Sequence, residues 1–207
     1  MILRVISHPE FFEGESEIIN LLFEAGMQYF HLRKPGLSTA QVQAFIAKLP
    51  EGYHAKIIVH GSPDLQVCST LGGLHIPEWE RKRTRVEQIE ESIKQLKKAQ
   101  KLVGTSVHQL SHMADLHPTY DYLMLSPLFS SISKPDYRSD ENWEIQDYAY
   151  RDKLVGLGGI DTDKIGAAAQ LGFRQVAVLG AIWEEPQKAL EKFKQLKSVC
   201  ESAALTY

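Results

Sequence analysis

Cysteine is almost absent from this 207-residue chain: Cys68 and Cys200 are the only two. So far apart in sequence, they show no metal-ligand spacing and read as buried free thiols of a reducing compartment. Long apolar runs are also missing. No segment approaches the ~20 residues of a membrane span, and the opening MILRVISHPE has no signal-peptide h-region, so a cytoplasmic location without a membrane partner is expected. Excess charge of one sign is lacking too: Lys+Arg 23 against Asp+Glu 26 gives −3, no footprint for nucleic acid. The basic clusters Arg81-Lys82-Arg83 and Lys97-Lys98 lie among acidic residues and read as solvated helix faces. With 43% hydrophobic and 24% charged residues, wholesale disorder is excluded. Histidine, by contrast, is plentiful, with eight.

Eight short apolar runs predict strands at 2–6, 29–32, 56–59, 73–76, 102–107, 122–125, 154–157 and 175–179. Most are apolar on both parities, the pattern of strands covered on both faces in a parallel sheet. Helical patterns fall between them at 15–25, 38–49, 63–71, 84–99, 109–116, 162–171 and 186–199, with a short sixth-unit helix at 145–150 after a polar loop, 126–142. Ser38 with Gln41 forms a capping box, Pro63 suits a first helical turn, and Gly26, Gly72 and Gly172 are expected left-handed helix stops. No Pro/Gly/Ser-rich linker divides the chain. Eight βα units therefore predict a single-domain (β/α)8 TIM barrel spanning residues 1–207, with a doubly wound open sheet as runner-up. That runner-up would bring a glycine fingerprint after its first strand, where this chain has His8-Pro9-Glu10.

In such a barrel, chemistry belongs where strands end and βα loops begin. Five histidines, His8, His31, His60, His75 and His108, stand at or beside the ends of the first five strands. Together they suggest a wet, functional rim, although the parity of His75 also suits the core. No carboxylate is interleaved with them in a ligand pattern, so no metal site is expected. Three loops suggest an anion site. Ser130-Ser131-Ile132-Ser133-Lys134 offers hydroxyls and an ammonium after strand six. Gly158-Gly159 follows strand seven and Gly180-Ala181 follows strand eight, where glycines let backbone N–H groups approach a phosphate. Arg33 is a second anion binder or a salt bridge across the rim.

These residues, in this order, resemble the thiamine phosphate synthase and thiazole tautomerase family. The segments are His31-Leu32-Arg33, Val59-His60-Gly61 with Asp64, Gly104-Thr105-Ser106-Val107-His108, Ser126-Pro127-Leu128-Phe129 with Ser131-Ile132-Ser133-Lys134, Gly158-Gly159 and Gly180-Ala181. The resemblance implies a small-molecule thiazole phosphate as substrate and a homodimer. It implies His108 as the catalytic residue, with His31, Arg33, His60, Ser106, Ser131, Ser133 and Lys134 binding substrate. Backbone N–H groups of Gly158, Gly159, Gly180 and Ala181 would grip the phosphate.

The departures favour the tautomerase branch. A synthase joins a hydroxymethylpyrimidine pyrophosphate to thiazole phosphate, releases pyrophosphate, and needs Mg²⁺ between two carboxylates. Here the first carboxylate position is Gly61 and the second is Glu80; the family's Gln and Lys positions are His31 and Pro35. Only the synthase reading calls for Mg²⁺. The tautomerase reading needs no cofactor, only a proton carrier of near-neutral pKa, and His108 suits it. Arg33 or Lys134 would then pair with a substrate carboxylate while His60 lines the ring pocket. A non-catalytic thiazole-phosphate binder is the third reading.

Overall fold

Each of the eight apolar runs becomes a strand, because each is short, rich in Val, Ile and Leu, and buried on both faces. In the computed structural model the strands are β1 (Ile2–Ile6), β2 (Tyr29–Leu32), β3 (Ile57–His60), β4 (Gly73–Ile76), β5 (Leu102–Val107), β6 (Tyr122–Leu125), β7 (Leu154–Leu157) and β8 (Gln175–Val178). The structure describes residues 1–62, 68–116, 118–130, 143 and 145–206, with side chains to 203. Every strand pairs in parallel with its sequence neighbour, and β8 closes on β1 through Ile2↔Gln175 to Val5↔Val178. The fold is the closed (β/α)8 barrel, and the open sheet is excluded.

Among the described residues the helices are α1 (Glu15–Glu24), α2 (Thr39–Ile46), α3 (Glu78–Arg83), α4 (Val86–Lys98), α5 (Met113–Leu116), α6 (Ile165–Gln170), α7 (Gly180–Trp183) and α8 (Ala189–Thr206). Their apolar stripes make the outer core. Ile89, Ile93 and Leu96 on α4, like Phe193, Leu196 and Cys200 on α8, repeat at helical spacing and are buried. Each such side chain contributes about 1.5–3 kcal/mol of burial. A separate inner cluster of Ile6, Ile58, Tyr122, Met124, Val155 and Ala177 fills the barrel. Both cysteines are free and buried. No helix among the described residues is long and apolar enough to cross a membrane.

Several local expectations are corrected. Strand β3 runs one residue further than expected, so His60 belongs to it, and β8 stops one residue earlier, at Val178. Residues 145–150 form turns rather than a helix: Ile145 donates its N–H to the Leu171 carbonyl, and Tyr148 N–H closes a tight turn on the Ile145 carbonyl. The final helix begins at Ala189, after a 3-10 turn at Pro186–Lys188, and runs past residue 199 to Thr206. There the Met1 ammonium donates to the Cys200 carbonyl at 2.7 Å. Gly72 is no left-handed stop. A Cβ at that position would lie 2.2 Å from the Ala55 carbonyl oxygen, so close backbone approach is what demands glycine. The helix expected at 63–71 lies largely outside the described residues. The Ser38–Gln41 capping box is present on α2.

One buried ion pair ties the β1 loop to the end of β2. Lys34 Nζ donates to both Glu15 carboxylate oxygens at 2.6 Å and to the Glu10 carbonyl at 2.9 Å, and it lies 4.5 Å from the Phe11 ring centroid. Both side chains are 1% exposed. Removing one member leaves a buried charge unpaired, so Lys34→Met should cost about 3–5 kcal/mol. Urea unfolding should show this as a lower midpoint, and a midpoint equal to wild type would refute it.

Candidate active site

The C-terminal rim is assembled around an unusual barrel interior. Arg4, on β1, points inward and is 4% exposed. Its Nε and Nη2 donate to Gln175 Oε1 at 3.2 and 2.8 Å, and Gln175 Nε2 donates to the Asp152 carbonyl. The guanidinium lies 4.2 Å from the Tyr29 ring centroid and 4.5 Å from that of Tyr122. Gly104 makes room for Tyr122, since a Cβ there would meet the phenol ring at 2.0 Å.

Three histidines converge beside Arg4. Arg4 Nη1 lies 3.3 Å from His31 Nε2, and His31 Nδ1 lies 3.0 Å from His60 Nε2. His60 stacks on His75 with ring centroids 4.1 Å apart, and His75 bonds Tyr122 Oη at 3.1 Å and Ser106 Oγ at 2.8 Å. Burial disfavours the charged imidazolium, and neighbouring positive charge adds to this. His31 is held well below the ordinary histidine range by burial and then Arg4. Burial does the same to His60, followed by His75, His31 and Arg33, and it lowers His75 to about 3 with help from Arg4 and Arg33. One ring nitrogen from each of the three lies within 4.8 Å of the others, a spacing a metal could use. The hydrogen bonding opposes that use. A guanidinium only donates, so the single lone pair of neutral His31 is already committed to Arg4. The near-parallel rings of His60 and His75, 21° apart, also aim their nitrogens side by side rather than at one point.

Above this layer, a cleft of about 280 Å³ opens over β2, β3 and β4, lined among others by Arg33, His60, Gly61, Trp79, Glu80 and Arg83. The Arg33 guanidinium has no ion pair among the described residues, so the rim salt bridge is absent and the exposed side chain faces the cleft. Helix α3, unforeseen in the sequence, carries the cleft's acid, Glu80. Glu80 is 2% exposed; its Oε1 accepts from Thr84 Oγ1, and Arg83 stands 2.7 Å from Oε2 as an ion pair. Oε2 is the one buried side-chain nitrogen or oxygen among the described residues without a hydrogen bond.

His108 sits apart on the rim after β5. Its Nδ1 donates to the Ser126 carbonyl at 2.6 Å, and its Nε2 faces Glu78 Oε2 at 3.5 Å. Although burial raises its pKa, Glu78 is held below the ordinary carboxylate range by Lys82, His108 and Arg81. The carbonyl fixes the imidazole orientation and leaves Nε2 facing the Glu78 carboxylate, a geometry that acid/base histidines share.

Gly158 and Gly159 have φ of +102° and +63°. The strand-six loop presses on them: Leu128 N–H donates to the Leu157 carbonyl and Phe129 N–H to that of Gly158. A Cβ at Gly159 would meet the Phe129 and Ser130 carbonyls at 2.8 and 2.7 Å. The amides of Gly158, Gly159, Gly180 and Ala181 donate to no other described residue, which leaves four N–H groups at the ends of β7 and β8.

Of the residues singled out from sequence, Arg33 and His60 share the cleft, His108 and Ser106 lie near its β5 side, and the glycines form the opposite lobe. His31 is fully buried and meets His60 at 3.0 Å; of the two, His60 lines the cleft. His8 bonds only locally, to Glu10, so three of the five rim histidines meet rather than five. Ser131, Ser133 and Lys134 lie outside the described residues. Sequence reading gave no site role to Arg4, Tyr122, Gln175 or Glu78. For Tyr122 a signal existed in the glycine of the neighbouring strand; for Arg4 there was none.

A family model described as thiamine monophosphate synthase matches residues 3–182. The chain belongs to this family. The thiamine-phosphate synthase of Staphylococcus haemolyticus is 26% identical over 178 residues, 80% of each chain, and that of Anoxybacillus flavithermus is 25% identical over 176, covering 80% of this chain and 77% of its own. A solved thiamine phosphate pyrophosphorylase from Bacteroides thetaiotaomicron superposes with a TM-score of 0.76 at 28% identity, covering 97% of this chain and 98% of that one. The thiamine phosphate pyrophosphorylase of Pyrococcus furiosus, at 19% identity and a TM-score of 0.75 over 97% and 96% of the two chains, shares the fold.

The buried histidines give stability a pH dependence with a definite sign. Their folded pKa values lie below the unfolded value of about 6.5, so the unfolded chain binds more protons below that pH. Stability is fully present above pH 6.5 and falls as the pH drops, approaching about 4 kcal/mol per pH unit where all three must charge on unfolding. Urea unfolding at pH 7.5 and 5.0 should show a marked loss at the lower pH; equal midpoints would show that the three rings are not held neutral in the fold.

Proposed function

We propose that the chain is a thiamine-biosynthetic enzyme that binds a thiazole phosphate at the β7/β8 glycine lobe and works as a thiamine phosphate synthase. It would join that substrate to a hydroxymethylpyrimidine pyrophosphate and release pyrophosphate. The observation that carries this reading is the second lobe: a cleft with Arg33 and Arg83 on its walls, separate from the glycine amides, gives room and charge for a second, polyanionic substrate. The names of the matched relatives support the same reading.

Arg33 pairs with the pyrophosphate by charge-assisted hydrogen bonds, and Trp79, 58% exposed at the cleft edge, offers a face for a flat ring. The four free amides hold the thiazole phosphate. Ser131, Ser133 and Lys134 belong to this substrate site on the resemblance alone. Mg²⁺ fits with one carboxylate: Glu80 has a buried oxygen without a hydrogen bond, and Mg²⁺ is commonly held by one or two carboxylates together with substrate phosphates. Glu80 would hold the ion, which when bound supplies neutralising charge for the departing pyrophosphate.

Thiazole tautomerase is the second reading, favoured by Gly61, which supplies no ligand, and by the pairing of Glu80 with Arg83. On this reading His108 takes and returns a proton at Nε2 while Glu78 steadies the imidazolium. Its substrate would use the same amides and Arg33.

Incubation with both synthase substrates should give pyrophosphate release that depends on Mg²⁺, and Glu80→Gln should lower kcat/KM by at least about tenfold, the scale of losses at metal sites. No release, together with turnover of the carboxythiazole phosphate that falls about 10²–10⁴-fold in His108→Asn, would overturn the synthase reading in favour of the tautomerase.

A further inference from the structure

Every hydrogen in the polar chain crossing the barrel has a forced direction. Arg4 cannot accept, so His31 Nε2 must accept from it, and the proton of neutral His31 then resides on Nδ1. That N–H donates to His60 Nε2 at 3.0 Å, so the proton of neutral His60 resides on Nδ1. The other end is fixed as well, because Gln175 turns its amide nitrogen to the Asp152 carbonyl and its oxygen to Arg4. His60 Nδ1 has no partner among the described residues. Since Glu80 Oε2 is the one buried, unbonded side-chain polar atom among them, this nitrogen is open to solvent, and His60 lines the cleft.

We propose that Arg4, acting through His31, locks His60 into the Nδ1–H form, making it an obligate hydrogen-bond donor on the cleft floor that selects a ligand with an acceptor atom there, such as a pyridine-type ring nitrogen. Arg4 and His31 are positioning residues; His60 is the contact. The inference rests on the reading of the cleft as the site of the second substrate. It assigns His31 and His60 to a hydrogen-bonded relay rather than to a metal.

The test separates the relay from that reading. Ring-nitrogen NMR of the wild-type protein, free of substrate, should show His60 as the Nδ1–H tautomer, and Arg4→Met should convert it to a mixture; an Nε2–H signal in the wild type would overturn the lock. With substrates, His60→Gln, whose amide mimics the Nε2 side, should raise the KM for the pyrimidine substrate about 3–10-fold, the loss of one hydrogen bond. His60→Asn, whose amide takes the Nδ1 position, should recover most of that loss, with kcat changing less than KM in both. Equal KM values for the two variants would overturn the donor role. Should the synthase reaction fail altogether, the tautomer result still stands or falls on its own. Stoichiometric Zn²⁺ binding to the wild type that is lost in His31→Gln would replace the relay with a metal centre.

Discussion

A guanidinium sealed inside a barrel, with no carboxylate to meet it among the described residues, is the constraint from which the site's architecture follows. Burying an ion costs several kcal/mol even after relaxation, and Arg4 recovers that cost from neutral acceptors and aromatic faces. Gln175 supplies one oxygen, His31 one lone pair, and Tyr29 and Tyr122 two π faces; a desolvated cation–π contact is worth about 2 kcal/mol. Each partner imposes a condition on another strand. Tyr122 requires glycine at 104, His31 must stay neutral, and Gln175 must be held by the Asp152 carbonyl. Burial first, and then the positive charge at the centre, keep His75 and His31 unprotonated, so the histidines gather without repelling one another.

The two lobes of the rim are built by different means. On the β6–β8 side one loop start does two tasks. Its Ser126 carbonyl orients His108, while the amides of Leu128 and Phe129 take the carbonyls of Leu157 and Gly158. With those carbonyls occupied, what the glycine turn presents outward is N–H, which suits an anion. On the β2–β4 side the working groups ride on α3, and ion pairs rather than apolar packing organise them. Glu78 draws Lys82, Arg81 and His108, while Glu80 draws Arg83. Glu78 thereby links the lobes, since it faces the same histidine that the β6 loop orients.

The strands were legible because a doubly covered strand must be apolar on both parities, and few other short segments are. At β3 the boundary slipped on a polar residue: His60 ends the strand while hydrogen-bonding inside the barrel, and an apolar pattern cannot count it; at β8 the pattern overcounted, taking in the apolar Leu179 beyond the strand's end. Helix α3 was illegible for a related reason. Glu78-Trp79-Glu80-Arg81-Lys82-Arg83 shows no apolar period, and its ion pairs at three- and four-residue spacing are seen only once the segment is known to be helical. At the site, the residue types on the rim could be read, but not their depth. Parity points His31 and His75 inward; that His60 alone of the three lines the cleft depends on stagger between strands, and that is a property of the closed barrel. Arg4 was invisible because a charged residue in a strand ordinarily marks the solvent face, and the neutral partners that reverse this come from β2, β6 and β8.

Glycine at position 61 is more than a lost carboxylate. Its φ is +153°, in a region that side-chain-bearing residues rarely adopt, while a Cβ placed there would touch nothing within 4 Å. Space would admit an acidic side chain and the backbone would resist it. The turn after β3 has therefore been shaped around glycine, and returning a carboxylate would need the turn to change with it. Any cation chemistry in the cleft then falls to Glu80, whose Arg83 partner must yield or share. With a polyanion in the cleft, Arg83 has a second acceptor within the same walls, and a shift of its charge toward the ligand would free the Glu80 oxygen that makes no hydrogen bond.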